Sequence, residues 1–289
     1  MSLLRASVRG VSFGMIAVAL VLVTGASRSR ADGSVRAIPI GSSALAGPDR
    51  FGLMFPWFGP LVEDGVPQAE SDWPGTFRLD GMCTATAVGP RAILTAAHCV
   101  TDDYHGPITL NRDRFIATCR RHRDYGGREE QTRLADFGLC ALEVDLGLVL
   151  YETIDRDRRN FAEGKLVMMV GYGCPRLGIG ERYPVLRGAE TRIDRIPRAS
   201  DDSYRMDTGE GALACPGDSG GAVYSVDRAA AWRRIVVGVV AVRLTETRGS
   251  LVAITGKSGF QSFAAEFAAS QNVHVCGVTP NAPNCRTAP

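Results

Sequence analysis

From Trp73 onward the chain alternates short apolar runs with clusters of Gly, Pro, Asp and Arg. The runs TFRL, TATAV, AILTAA, FGLCALEV, KLVMMVGYG, GAVYSV, RIVVGVVAV and SLVAITG are of strand length, and their rhythm predicts an all-β barrel or sandwich. One segment departs from it. In SGFQSFAAEFAAS, residues 258–270, Phe260, Phe263 and Phe267 recur at helical spacing, so a C-terminal helix closing a β protein is expected.

The N-terminal end obeys a different pattern. Arg5 and Arg9 precede an apolar core from Val11 to Val23, and Ser29-Arg30-Ala31 offers a small-x-small cleavage site, so residues 1–31 read as a secretory signal peptide. The alternative, an uncleaved membrane anchor, needs about 20 apolar residues, more than this core supplies. Residues 32–60 are rich in Gly, Pro and aromatic residues and read as a leader or extension. Removing residues 1–31 takes away four arginines and no acid, which turns the formal net charge of +2 into −2. That near-balance gives no electrostatic case for a nucleic-acid partner or for stable membrane association after signal cleavage. The expected location is extracytoplasmic, secreted or periplasmic.

Eight cysteines in an exported chain favour disulfides over metal, because no Cys-x-x-Cys or His-x-x-x-His spacing gathers zinc ligands. By themselves they allow 105 pairings.

Candidate chemistry centres on LACPGDSGGAV, residues 213–223, where Ser219 is flanked by Asp218 and by Gly217, Gly220 and Gly221. Such a stretch is either a tight turn or a hydroxyl kept accessible. A serine becomes nucleophilic when a base takes its proton, and near neutral pH histidine suits that task. His98 ends the apolar run AILTAAHCV beside Cys99, with only the small Ala96 and Ala97 before it. Its second nitrogen would need an acceptor, and Asp136 heads DFGLCAL.

LTAAHC, DFGLCAL and CPGDSGG, in that order, resemble the chymotrypsin-like (trypsin-like) serine protease family over roughly Leu61 to Ser270. The resemblance implies two antiparallel six-stranded β-barrels with a catalytic triad in the cleft between them. His98 is then general base and acid, Asp136 its orienting carboxylate, and Ser219 the nucleophile. The N–H groups of Gly217 and Ser219 form the oxyanion hole, and no metal or organic cofactor is implied. Residues 61–272 become the protease domain and 273–289 a C-terminal tail, with a protein or peptide as substrate.

The resemblance extends to further residues. It pairs Cys83 with Cys99 and matches GYG before Cys174 to a family segment near the oxyanion loop. The family's usual partner for Cys215 would fall in RLTETRGS, which has no cysteine, so Cys174 is assigned to Cys215 by elimination. Cys119 and Cys140 lie in runs that suit neighbouring strands, leaving Cys276 and Cys285 to close the tail. Asp218 matches a buried carboxylate that the family pairs with an α-amine freed by an activating protease, here at Leu61. Leu213 falls at the base of the primary specificity pocket, where an aspartate would select Arg or Lys. Ala241, Val242 and Arg243 replace the usual Ser-Trp-Gly of the substrate-pairing strand, and Gly249 lies in a pocket wall. Small apolar or acidic residues are expected to be preferred.

Two other functions stay open. Gly217 to Gly221 also satisfies the G-x-S-x-G elbow of α/β-hydrolase esterases, but that fold needs an acid and a histidine after the serine and a helix directly following it. Here the one downstream histidine is His274, and GGAVYSV reads as strand. A protease-like module that only binds or regulates partners is the second alternative.

Overall fold

The computed structural model describes residues 65–126, 135–157, 160, 162–173, 185–196, 205–211, 213–227, 233–244 and 249–287. A first barrel is built from β2 (Thr76–Leu79), β3 (Cys83–Gly89), β4 (Ala92–Thr95), β5 (Tyr104–Leu110), β6 (Asp113–Arg121) and β7 (Gly138–Leu142), closed in the order β2-β3-β4-β7-β6-β5. A second uses β8 (Leu166–Gly171), β9 (Arg187–Arg195), β10 (Arg205–Gly211), β11 (Ala222–Val226), β12 (Arg234–Leu244) and β13 (Gly249–Ile254). Its order is β9-β10-β13-β12-β11-β8, and pairing of β8 with β9 closes it. The short strand β1 (Val66–Pro67) lies outside this ring, on β9. All pairings within both barrels are antiparallel. The expected fold is therefore present, one helix included.

The apolar runs explain the closure. Every residue of AILT in β4, GLCAL in β7 and GSLVAI in β13 is buried, as strands covered on both faces must be. Leu79, Ile93, Leu110 and Leu142 pack inside the first barrel, and Val167, Ile193, Val223 and Val252 inside the second. A further core joins Leu94, Phe137, Val170, Tyr224 and Val239 to the helix.

That helix, α1 (Ser258–Gln271), buries Phe260 and Phe267, with Phe263 half-buried beside them. It stops at Asn272, which turns left-handed at φ +50° and donates its N–H to the carbonyls of Ala268 and Ala269. Phe260 packs against Phe137 with ring centres 4.6 Å apart and planes tilted by 53°, which sets the helix beside the chain that carries Asp136. Among the described residues no helix is long and apolar enough to cross a membrane.

Beyond α1 the chain folds back on the barrels. The N–H of Cys276 donates to the Val88 carbonyl, and Tyr151 exchanges backbone bonds with Asn284 and Arg286. A buried ionic cluster lies close by. Glu152 accepts from Arg234 at 2.6 Å and from Arg286 at 3.2 Å, while Arg234 lies over the Trp73 ring at 3.7 Å.

Candidate active site

His98 sits in a single 3-10 turn, Ala97–Cys99, that leaves β4 and is tied back by the disulfide from Cys99 to Cys83 in β3. The short side chains of Ala96 and Ala97 let the turn bury its backbone without crowding the imidazole. Asp136 precedes β7, whose register places Gly138 opposite Thr95. The outcome is a two-point contact: Asp136 Oδ2 lies 2.7 Å from His98 Nδ1, and Oδ1 accepts the His98 backbone N–H at 3.0 Å. The carboxylate is 1% exposed and the imidazole 14%, so the acid is dry while the ring reaches solvent. A carboxylate on Nδ1 fixes the neutral tautomer with its lone pair on Nε2.

Ser219 comes from the second barrel, in the turn before β11. Thr84 of β3 donates its N–H to the Ser219 carbonyl at 2.8 Å, and Cys99 Sγ lies 3.7 Å from the same oxygen. The Thr84 hydroxyl donates to the Gly217 carbonyl at 2.7 Å and accepts the Tyr172 N–H at 3.0 Å. One fully buried threonine thus joins the His98 side of the site to the serine loop. Thr84 was missed in the sequence reading. A threonine directly beside Cys83, in a strand that is buried almost throughout, was the signal that could have found it.

Gly220 shows why the loop needs so little side chain. It adopts φ +84°, and a Cβ there would lie 2.1 Å from Thr95 Oγ1 and 2.3 Å from the Thr84 carbonyl. Its N–H donates to the Val240 carbonyl, and Val240 returns a bond to Gly221, which ties the loop to β12. Asp218 donates its N–H to Cys215, and Gly221 donates to Asp218. Among the described residues the N–H groups of Gly217 and Ser219 meet no acceptor, and none joins the Ser219 hydroxyl to His98. Hydrogen bonds of this kind commonly tighten only when substrate is bound.

The Asp218 carboxylate accepts from Gly173 N at 2.7 Å and from Cys215 N at 2.9 Å. Burial pushes its pKa up to about 6, partly countered by those two donors and by the charge of Arg187.

Around the expected specificity pocket, Leu213 is buried and the next residue, Ala214, donates its N–H to the buried Ser250 hydroxyl at 2.6 Å. Ala241 is buried at an irregularity of register between Val240 and Val242, and Gly249 pairs with Leu244. Val242 and Arg243 face Leu251 and Ser250 in the β12–β13 pairing; their side chains fall outside the described residues, as do Leu61 and Cys174.

Disulfides also join Cys119 to Cys140 and Cys276 to Cys285, and Cys215 is disulfide-bonded as well. Donor atoms of Cys83, His98 and Cys99 lie within 4.8 Å of one another, but both sulfurs are spent in the bridge and offer no thiolate to a metal.

A model of the trypsin family matches residues 63–261. Among solved structures, that of the Vibrio cholerae VesB protease is similar in fold, with a TM-score of 0.53 and 16% identity over 73% of this chain and 68% of that one. No curated protein matches the sequence.

Proposed function

Starting from the premise that the chain belongs to the trypsin family of serine endopeptidases, we propose that it cleaves peptide bonds through an acyl-enzyme formed on Ser219. The observation that carries this reading is the grip of buried Asp136 on His98 Nδ1, in a turn that contacts the Ser219 backbone through Cys99. His98 Nε2 takes the hydroxyl proton as Ser219 Oγ attacks the scissile carbonyl. The oxyanion that forms is met by the N–H groups of Gly217 and Ser219. Their lack of an internal acceptor supports that role, and losing one such donor costs on the order of 100-fold to 1,000-fold in rate. The imidazolium then protonates the leaving amine, and water repeats the cycle to release the acid.

Protein or peptide substrates follow from the family. Their class follows from the pocket: Leu213 at its base offers no charge to a cation, so cleavage after Arg and Lys is weak and small apolar or acidic residues are preferred. A peptide library read by mass spectrometry tests this, and Leu213→Asp raises cleavage after Arg and Lys by tenfold or more. Dominance of basic residues in the unaltered protein would overturn the assignment.

The disulfides suit an oxidising, extracytoplasmic compartment. We place the protein there, secreted or periplasmic, after removal of residues 1–31. An activating cut before Leu61 would deliver an α-amine to Asp218. N-terminal sequencing of the active form tests it, and a start near Asp32 would remove Leu61 from the scheme.

A further inference from the structure

The Asp218 carboxyl is enclosed in a way that makes its counter-charge a chemical requirement. A Cβ on Gly171 would lie 2.5 Å from its Oδ1, and one on Gly173 would lie 2.2 Å from its Oδ2, so two bare glycines make the space it occupies. The two backbone N–H donors stabilise the carboxylate but carry no full charge. An unpaired buried charge costs several kcal/mol.

Arg187 lines the same cavity as this carboxyl, without a direct ion pair between the two. It opens β9 directly across from Gly171 of β8 on one side and Pro67 of β1 on the other. With Asp218, Gly65, Gly171 and Gly173 it lines a cavity of about 20 Å³, roomy enough for one water. Its Nη1 donates to the Gly65 carbonyl at 2.8 Å, so the same side chain holds the N-terminal segment at the cavity mouth. Among the described residues Arg187 is the cation whose field favours the Asp218 carboxylate, less strongly than the two backbone donors do.

We infer that Arg187 is the resident counter-cation of Asp218, holding the loop of residues 215–219 in working order while the chain before Leu61 is still attached. A freed α-amine at Leu61 then adds to a charge already in place instead of supplying the first one. The inference rests on the acyl-enzyme reading of Ser219.

The experiment uses the full exported chain, verified by mass as uncut, and the rate at which a fluorophosphonate probe labels it between pH 5 and 9. Native protein is labelled without cleavage. Arg187→Gln, which keeps a donor for the Gly65 carbonyl but removes the charge, labels about tenfold more slowly at pH 7. Deprotonation of His98 contributes to the rise of rate with pH in both proteins. In Arg187→Gln the midpoint is displaced upward by up to about one unit, because loss of a nearby opposite charge raises a carboxyl pKa. Arg187→Lys restores both the rate and the midpoint, which a merely structural role of the side chain would not predict. Should Arg187→Gln fail to fold, Arg187→Met read by the same midpoint serves in its place. A neutral variant with native rate and midpoint overturns the inference. So does native protein that is inert uncut but labelled once cut before Leu61. Native protein inert in both forms overturns the acyl-enzyme reading itself.

Discussion

Asp136 spends both carboxylate oxygens on one residue, the ring and the backbone N–H of His98. Asp136→Asn keeps the shape but offers an amide where Nδ1–H needs an acceptor, which favours the wrong tautomer. A fall in kcat on the order of 10⁴ is expected, with KM little changed, measured on a peptide amide. Asp218 gives a prediction of opposite character. Its folded pKa of about 6 lies above the unfolded value of 3.8, so its contribution to stability is fully present below pH 3.8 and is lost as pH rises through 6. The uncut chain loses up to about 3 kcal/mol from this group over that window. Urea midpoints at pH 4 and pH 7 should show the loss in the native chain and not in Asp218→Asn. Equal pH dependence of the two proteins would show that the carboxyl finds a stronger partner than the structure gives it. Ser219 and His98 stood out in the sequence through their small or glycine neighbours, whereas Asp136, beside Phe137, was singled out only by the family resemblance of DFGLCAL. Arg187 was not legible, because an arginine after a loop has ordinary neighbours, and Thr84 had only its place beside Cys83 to mark it; the fold brings both to the serine loop.

At the scale of the element, strands written as continuous apolar or β-branched runs were visible, and those whose buried residues are interrupted by charged or polar positions were not. Phe260 and Phe267 disclosed α1, and the runs AILT, GLCAL and SLVAI disclosed β4, β7 and β13. β9 buries Gly188, Thr191 and Ile193, and β10 buries Met206, Asp207 and Thr208, so neither shows an apolar alternation in sequence. They are strands because neighbours on both sides satisfy their backbone groups, a tertiary cause that periodicity does not register. The buried cluster at Glu152 was hidden for the same reason. Glu152→Ala leaves the buried Arg234 guanidinium without its carboxylate, and a loss of about 3–5 kcal/mol is expected by urea denaturation. A loss below about 1 kcal/mol would mean that Trp73 stacking and the Asp72 carbonyl hold the arginine by themselves.

For the whole molecule, the candidate site exists only where two barrels meet. His98 and Asp136 belong to the first barrel and Ser219 to the second, with Thr84 reaching from β3 into the serine loop. Chain order could indicate such an assembly through a family resemblance, but periodicity alone could not, since the segments lie far apart and their approach depends on closure of both sheets. Activity is therefore a property of the assembled chain. The most direct measurement is peptide mapping by mass spectrometry after reaction of the folded protein with a fluorophosphonate. The account predicts one adduct per chain, on Ser219 within LACPGDSGGAV, abolished by His98→Ala as well as by Ser219→Ala. An unlabelled Ser219 in folded protein, cut or uncut, or an adduct that survives loss of His98, would contradict it.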